Sequence, residues 1–232
     1  MLELILATGK PRPLGDPNRM LLHLDGPNGS TGIVDVSGRP LTASAGAALS
    51  TIQSKFGGSS LALPNWNSCV TVPDDPTLRF TTDFTLEFWS YLVSFTNYDS
   101  VPVCKYATSG NTAQSAYLEF YQGTAYLKLD GEPQPATKIV NAGGLKAGQW
   151  QHIALTRQNN LYTLWIDGVS AGTRVSSATF GNVAGPMMIG NWALSTTGTP
   201  FNYNGYIDEF RTVNGTALYT GAFTPPSAPF TS

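Results

Sequence analysis

Charge is the scarcest property of this chain of 232 residues: only 12% are Asp, Glu, Lys or Arg, about half of what soluble domains usually carry. The 13 Lys and Arg are offset by 15 Asp and Glu, and no basic block occurs. Sequence-independent nucleic-acid binding works by clustered cations displacing counterions, so that class is set aside. Binding to an anionic membrane surface fails on the same ground. No apolar run approaches the roughly 18 residues of a membrane span, so insertion is not expected. Histidine is nearly absent too. His23 and His152 cannot make a three-histidine zinc site, and no H-x-x-x-H pair exists; each lies in an alternating segment where a satisfied structural role is expected. Cys69 and Cys104 have no CxxC or Cys/His spacing and read as free thiols or, if the protein matures outside the cell, one disulfide. Walker, dinucleotide and G-x-S-x-G patterns are missing.

What is plentiful is glycine (24) and proline (16), with Thr, Ser and Asn between short apolar runs. This favours strands joined by turns. FTLEFWSYLV (84–93) is apolar on both faces and predicts a central strand covered on two sides. AYLEFYQGTAYLKLDG (116–131) predicts a hairpin turning at 122–124, and LYTLWIDGVSAGT (161–173) another at Asp167–Gly168. No stretch of twelve residues has a helical period. The expected class is all-β, an antiparallel two-sheet sandwich or jelly roll, as one domain over 20–232 preceded by an arm at 1–19. The arm, MLELILATGKPRPLGDPNR, joins an apolar run (Leu2, Leu4, Ile5, Leu6) to a proline-rich linker. Two readings stand: a strand of the main sheet, or an arm that anchors on another subunit. Its apolar run is too short for a conventional export signal.

Catalysis by paired carboxylates needs two acids flanking the scissile sugar bond. Asp130 and Glu132 straddle a turn glycine, and the neighbours Asp74/Asp75 and Asp208/Glu209 would point to opposite faces of a regular strand. A hydrolase is therefore not expected.

Seven motifs in order, LLHLDGPNGSTGIVDVSG (21–38), SKFGGSSLAL (54–63), TTDFTLEFW (81–89), GQWQHIALTR (148–157), LYTLWIDGV (161–169), MMIGNW (187–192) and NGYIDEFRTVNGTALYTGAFTPP (204–226), resemble the laminin-G-like, concanavalin A-like jelly-roll domains, in the form common in tailed-phage virion proteins. The resemblance covers nearly everything after residue 20. It implies two sheets of six or seven strands, one concave and one convex, with the first and last strands side by side. IDEFRTV would close the sheet beside LLHLDG, burying Ile207 and Phe210, and TGAFTPP would run back across the sandwich. It also implies a structural Ca2+ held by Asp208 with Asp25 and the Gly57–Gly58 turn; the alternative is that Asp208 pairs with Arg211 or caps a loop. The E-x-D-x-x-E motif of related glycosidases is absent.

The functional expectation is a non-enzymatic component of a phage virion, a capsid decoration or tail protein, homo-oligomeric and anchored on other virion proteins by its arm. The alternative is a carbohydrate-binding module for surface glycans, with Tyr98, Trp192 and Tyr203 in loop-like contexts as stacking residues. For Trp192, a core position at a strand end is the competing reading.

Overall fold

The computed structural model describes residues 19–95, 100–106, 115–132, 137–138, 144–192 and 203–231. The anchoring residues Leu2, Leu4, Ile5 and Leu6, and also Tyr98, lie outside them. Among the described residues fifteen strands run in chain order: β1 Arg19–Leu22, β2 Thr42–Ser44, β3 Ala48–Ser50, β4 Ser60–Leu63, β5 Cys69–Val72, β6 Phe84–Leu92, β7 Ser100–Tyr106, β8 Ser115–Tyr121, β9 Thr124–Lys128, β10 Thr137–Lys138, β11 Trp150–Gln158, β12 Leu161–Ile166, β13 Val169–Val175, β14 Met187–Ile189 and β15 Gly205–Asn214. Among the described residues the helical content is one 3-10 turn, Pro76–Leu78, capped by the Asp75 carboxylate on the Thr77 N–H.

The strands form two antiparallel sheets. One, of eight strands, has the order β13-β12-β11-β6-β15-β4-β3, with β1 also paired to β15. The other, of seven, has the order β10-β9-β8-β7-β14-β5-β2. The expected six or seven strands becomes eight in the first sheet because the far side of β15 is shared: β4 pairs with its first residues and β1 with its last. The first and last strands do lie side by side, Leu22 opposite Phe210.

Alternation explains the layers. Phe84, Leu86 and Phe88 of β6, Ile153 and Leu155 of β11, and Ile207 and Phe210 of β15 meet Val70, Val72, Val103, Leu118, Phe120, Leu127, Met187 and Ile189 of the second sheet in one core. Phe88 and Phe210 stack there with centroids 5.7 Å apart. The hairpin turns fall where Gly123 and Gly168 supply left-handed φ values of 78° and 78°. Both cysteines are buried; β14 lies between their strands, so no disulfide joins them to each other.

Beyond β15 the chain makes no further strand. Residues 215–231 run as an irregular strap over the outer face of the eight-stranded sheet, as the resemblance implied. The strap is fixed at successive points: Leu218 N–H donates to Thr85 Oγ1 (2.8 Å), the Tyr219 hydroxyl to Glu87 Oε2 (2.8 Å), Phe223 N–H to the Gly168 carbonyl (3.0 Å) and Phe230 N–H to Glu209 Oε2 (2.7 Å). At Gly168 a Cβ would collide with the Phe223 carbonyl, so that glycine serves both the turn and the passage of the strap.

Candidate functional site

Under the strap lies a charged network that no motif search found. Glu87 of β6, opposite Arg211 of β15 in register, accepts from Arg211 Nε (2.8 Å) and Nη2 (2.6 Å) on one oxygen. Its other oxygen faces His152 Nε2 (3.1 Å) and the Tyr219 hydroxyl. Glu87 and His152 are wholly buried. The His152 ring is ringed edge-on by Trp89, Tyr219, Phe223 and Phe230 at 5.3–6.1 Å. Burial pushes the Glu87 carboxyl up, but the His152 hydrogen bond and the Arg211 charge outweigh it and leave the pKa below the ordinary glutamate value. The signal was a glutamate in the middle of an otherwise apolar strand, which has to be paired when both sheet faces are covered.

The Asp25, Gly58 and Asp208 set is partly assembled. Asp25 lies against Gly57, where a Cβ would overlap its carboxylate, and Asp208 reaches the same loop. Yet Asp208 Oδ2 accepts the backbone N–H groups of Lys55 (2.7 Å) and Phe56 (3.1 Å), and Oδ1 that of Glu209 (2.9 Å). Donors therefore surround this carboxylate where a calcium site would present further oxygens. Among the described residues no group of three or more His, Cys, Asp or Glu is placed to hold a metal. As arranged, the residues do not fit Ca2+; Asp208 ties a loop down, the alternative of the sequence reading, and Arg211 is engaged by Glu87. Burial pushes the Asp208 pKa up to about 7 against those three N–H bonds, with the Glu209 charge adding to the rise.

The pairing Asp208/Glu209 also corrects a geometric premise. Glu209 has φ of 50° and the register to β6 shifts between Asp208 and Arg211. This bulge turns both carboxylates to the outer face, Glu209 meeting His23 Nδ1 at 2.8 Å. Both acids are fully buried.

Of the expected stacking residues, Tyr203 is a correction. It is 0% exposed, its hydroxyl is 2.7 Å from Ser90 Oγ, and it offers no ring face to a ligand. Its loop-like sequence context misled because the chain turns inward, Tyr203 N–H donating to the Gly190 carbonyl (2.9 Å). Trp192 is half-buried on the outer face of the seven-stranded sheet, its ring 5.4 Å from that of Tyr117. Around this pair gather Tyr106, Tyr126, Met188, Val101 and Cys104. Sequence reasoning missed the three tyrosines, although the period of two carried them: in AYLEFYQGTAYLKL the leucines and Phe120 go inward, so Tyr117, Glu119 and Tyr126 go outward. Glu119 is the only acid in the strands of this sheet.

Two antiparallel sheets packed face to face over one core make a jelly-roll sandwich. A family model, Laminin_G_3, described as the concanavalin A-like lectin/glucanases superfamily, matches residues 64–219, and the chain belongs to that superfamily. No curated protein sequence matches the chain. Similar solved structures share the fold at low identity. The binding domain of Paraclostridial Mosquitocidal Protein 1 aligns with a TM-score of 0.61 at 17% identity over 86% of this chain and 49% of that one. Trypanosoma rangeli sialidase aligns at 0.58 and 16% over 84% and 30%. Domain 4 of AbnA, a GH43 extracellular arabinanase from Geobacillus stearothermophilus in complex with arabinotriose, aligns at 0.54 and 16% over 89% and 93%. This chain thus spans half or less of the first two.

Proposed function

We propose that this chain is a non-enzymatic adhesion domain displayed on a phage particle, as a capsid decoration or tail protein, binding surface glycans through the outer face of its seven-stranded sheet. One observation carries the binding: the half-buried rings of Trp192, Tyr106 and Tyr126 grouped around Tyr117 on that face. Sugar rings present C–H faces that pack on aromatic faces, with a few polar groups fixing orientation. The AbnA domain solved with arabinotriose has this fold and nearly this length, which supports the class of ligand. The described strands of that sheet carry one acid, Glu119, where glycoside hydrolysis requires two carboxyl groups, which supports binding over catalysis.

The virion setting rests on the ordered motifs and on the apolar run Leu2, Leu4, Ile5 and Leu6 ahead of three prolines, an arm suited to docking on other virion proteins. On this reading the protein is assembled in the host cytoplasm and repeats in symmetric positions on the particle. Co-sedimentation with particles from its source tests it, comparing the full chain with one lacking residues 1–18, cut just before β1. Pelleting of the full chain alone supports the arm as anchor; pelleting of neither sinks the virion reading. A glycan array probed with the free domain and with Trp192→Ala tests adhesion separately, and equal signals from both would remove the proposed face.

A further inference from the structure

The strap and the 55–58 loop do not cover the whole outer face of the eight-stranded sheet. They close over Glu87, Trp89, His152 and Arg211. One row further along, Trp150 of β11, Tyr91 of β6 and Tyr206 of β15 stand directly opposite one another on three adjacent strands. Their ring centroids are 5.5 and 5.9 Å apart and their planes edge-on, and all three are half-exposed. Next to this row is a shallow groove of about 170 Å³ lined by Ala62, Pro64, Val93, Asn204, Gly205 and Tyr206. Val93 is 50% exposed. At Gly205, on the groove lining, a Cβ would collide with the Tyr91 carbonyl and touch the Tyr203 ring, so β15 can approach β6 this closely only with glycine there.

We propose that this row and groove form a second glycan-binding site, selective for neutral sugars, on the opposite sheet from the Trp192 cluster. Three observations carry it. Elsewhere on this face the large rings (Trp89, Tyr219, Phe223, Phe230) pack against strap or loop, whereas the Trp150–Tyr91–Tyr206 row keeps part of its surface in solvent, where apolar rings without a partner are costly. The polar groups beside it are the amide of Asn204, which donates to Ser94 Oγ at 3.4 Å, and the phenol hydroxyls of Tyr91 and Tyr206. Such groups orient sugar hydroxyls and leave the ring stacking to the aromatics. No residue of the row or groove lining is charged, so nothing there compensates a uronate or sialate carboxylate. A peptide adding as a strand is not served, because the row lies on interior strands whose backbone groups are paired on both sides.

Affinity electrophoresis of the full chain through gels cast with soluble arabinan, mannan, mixed-linkage β-glucan or, as the anionic control, alginate tests the proposal. At least one neutral polysaccharide should retard the chain. Tyr91→Ala and Tyr206→Ala should each weaken that retardation about tenfold, the loss of a ring contact, and Asn204→Ala a few-fold. Trp192→Ala should leave this component in place, which separates it from the site proposed above. Melting of each variant is checked first; Asn204→Ala removes an exposed amide alone and keeps the test alive should a tyrosine variant fail to fold. Retardation by alginate only, by none of the four, or undiminished in the Tyr91→Ala/Tyr206→Ala double variant overturns the proposal. So does sugar-independent dimerisation that Tyr206→Ala abolishes, which would assign the row to a second copy of this chain. Loss of all retardation with Trp192→Ala alone overturns this site while leaving the first reading intact.

Discussion

The two outer faces of the sandwich are built from the same alternating strands and have opposite characters. On the eight-stranded sheet the outward positions at mid-strand are Glu87, His152, Asp208 and Arg211, and the chain spends residues 215–231 covering them. On the seven-stranded sheet Tyr117, Glu119, Tyr126 and Met188 point outward, and Trp192, just past β14, packs on the rings among them. Buried charges need partners and enclosure, so the middle of the first face acts as a structural seam. Rings left partly in water at the second face have no such closure, and the difference locates binding away from the most conspicuous polar groups. A cluster of His, Glu, Arg and Tyr invites an enzymatic reading. Here it holds down a strap.

The contrast is broken most severely at Glu87. Glu87→Ala takes from buried His152 and half-buried Arg211 their shared carboxylate, and a loss of about 3–5 kcal/mol is expected in denaturant unfolding; a change under about 1 kcal/mol would show that the network is incidental. The pH dependence has a definite sign. Glu87 has a pKa lowered by folding, so its stabilisation is complete above the ordinary glutamate value and disappears as pH falls through the lowered one. The gap in stability between wild type and Glu87→Gln should therefore narrow below about pH 4.5, and a gap that widens in acid would refute the assignment.

Asp208→Asn comes next. It weakens the three N–H bonds that fix residues 55–56 and the bulge, with an expected cost of about 1–3 kcal/mol. Because donors occupy that carboxylate, EDTA should leave the melting temperature of the wild type unchanged and added Ca2+ should not raise it. A chelator-sensitive transition would restore the calcium reading and require the loop to rearrange. On the other face, Trp192→Ala should cost glycan affinity about 1–3 kcal/mol with little change in melting, measured by titration with an array-selected glycan. The smallest effect belongs to the edge strand β13, where Val175 is exposed: Val175→Thr should fall within about 0.5 kcal/mol of wild type.

Much of this was legible beforehand, and the limits have physical causes. The double coverage of 84–92 and the turns at Gly123 and Gly168 follow from period-two patterning and turn chemistry; the pairing of the first and last strands and the returning strap are what the family resemblance implied. His23 pairs with Glu209 and the Nε2 of His152 with Glu87, while the buried Nδ1 of His152 has no partner among the described residues. The bulge at Glu209 was not legible, because glutamate rarely adopts a positive φ and nothing local requires it. That one residue undid the argument that Asp208 and Glu209 must face apart. Tyr203 was misplaced for a related reason: whether a polar-flanked tyrosine turns in or out depends on Ser90 and Gly190, far away in the sequence. The row of Trp150, Tyr91 and Tyr206 depends on a register across three strands, and no single segment shows it.

The position of β15 has a consequence for how this protein is made. It is the last strand in the chain, yet it sits between β6 and the pair β1 and β4. Until residues 205–214 leave the ribosome, β1 has no partner strand, only the bonds of Leu21 to Asp35 and Val36, and the sheet stands open along its middle. Until then β1 and β4 wait, with Met20, Leu22, Leu61 and Leu63 unsheltered, for contacts up to 192 residues away in sequence. Translation that stalls before residue 205 would release not a trimmed domain but two half-sheets with raw edges, a product suited to proteolysis or aggregation.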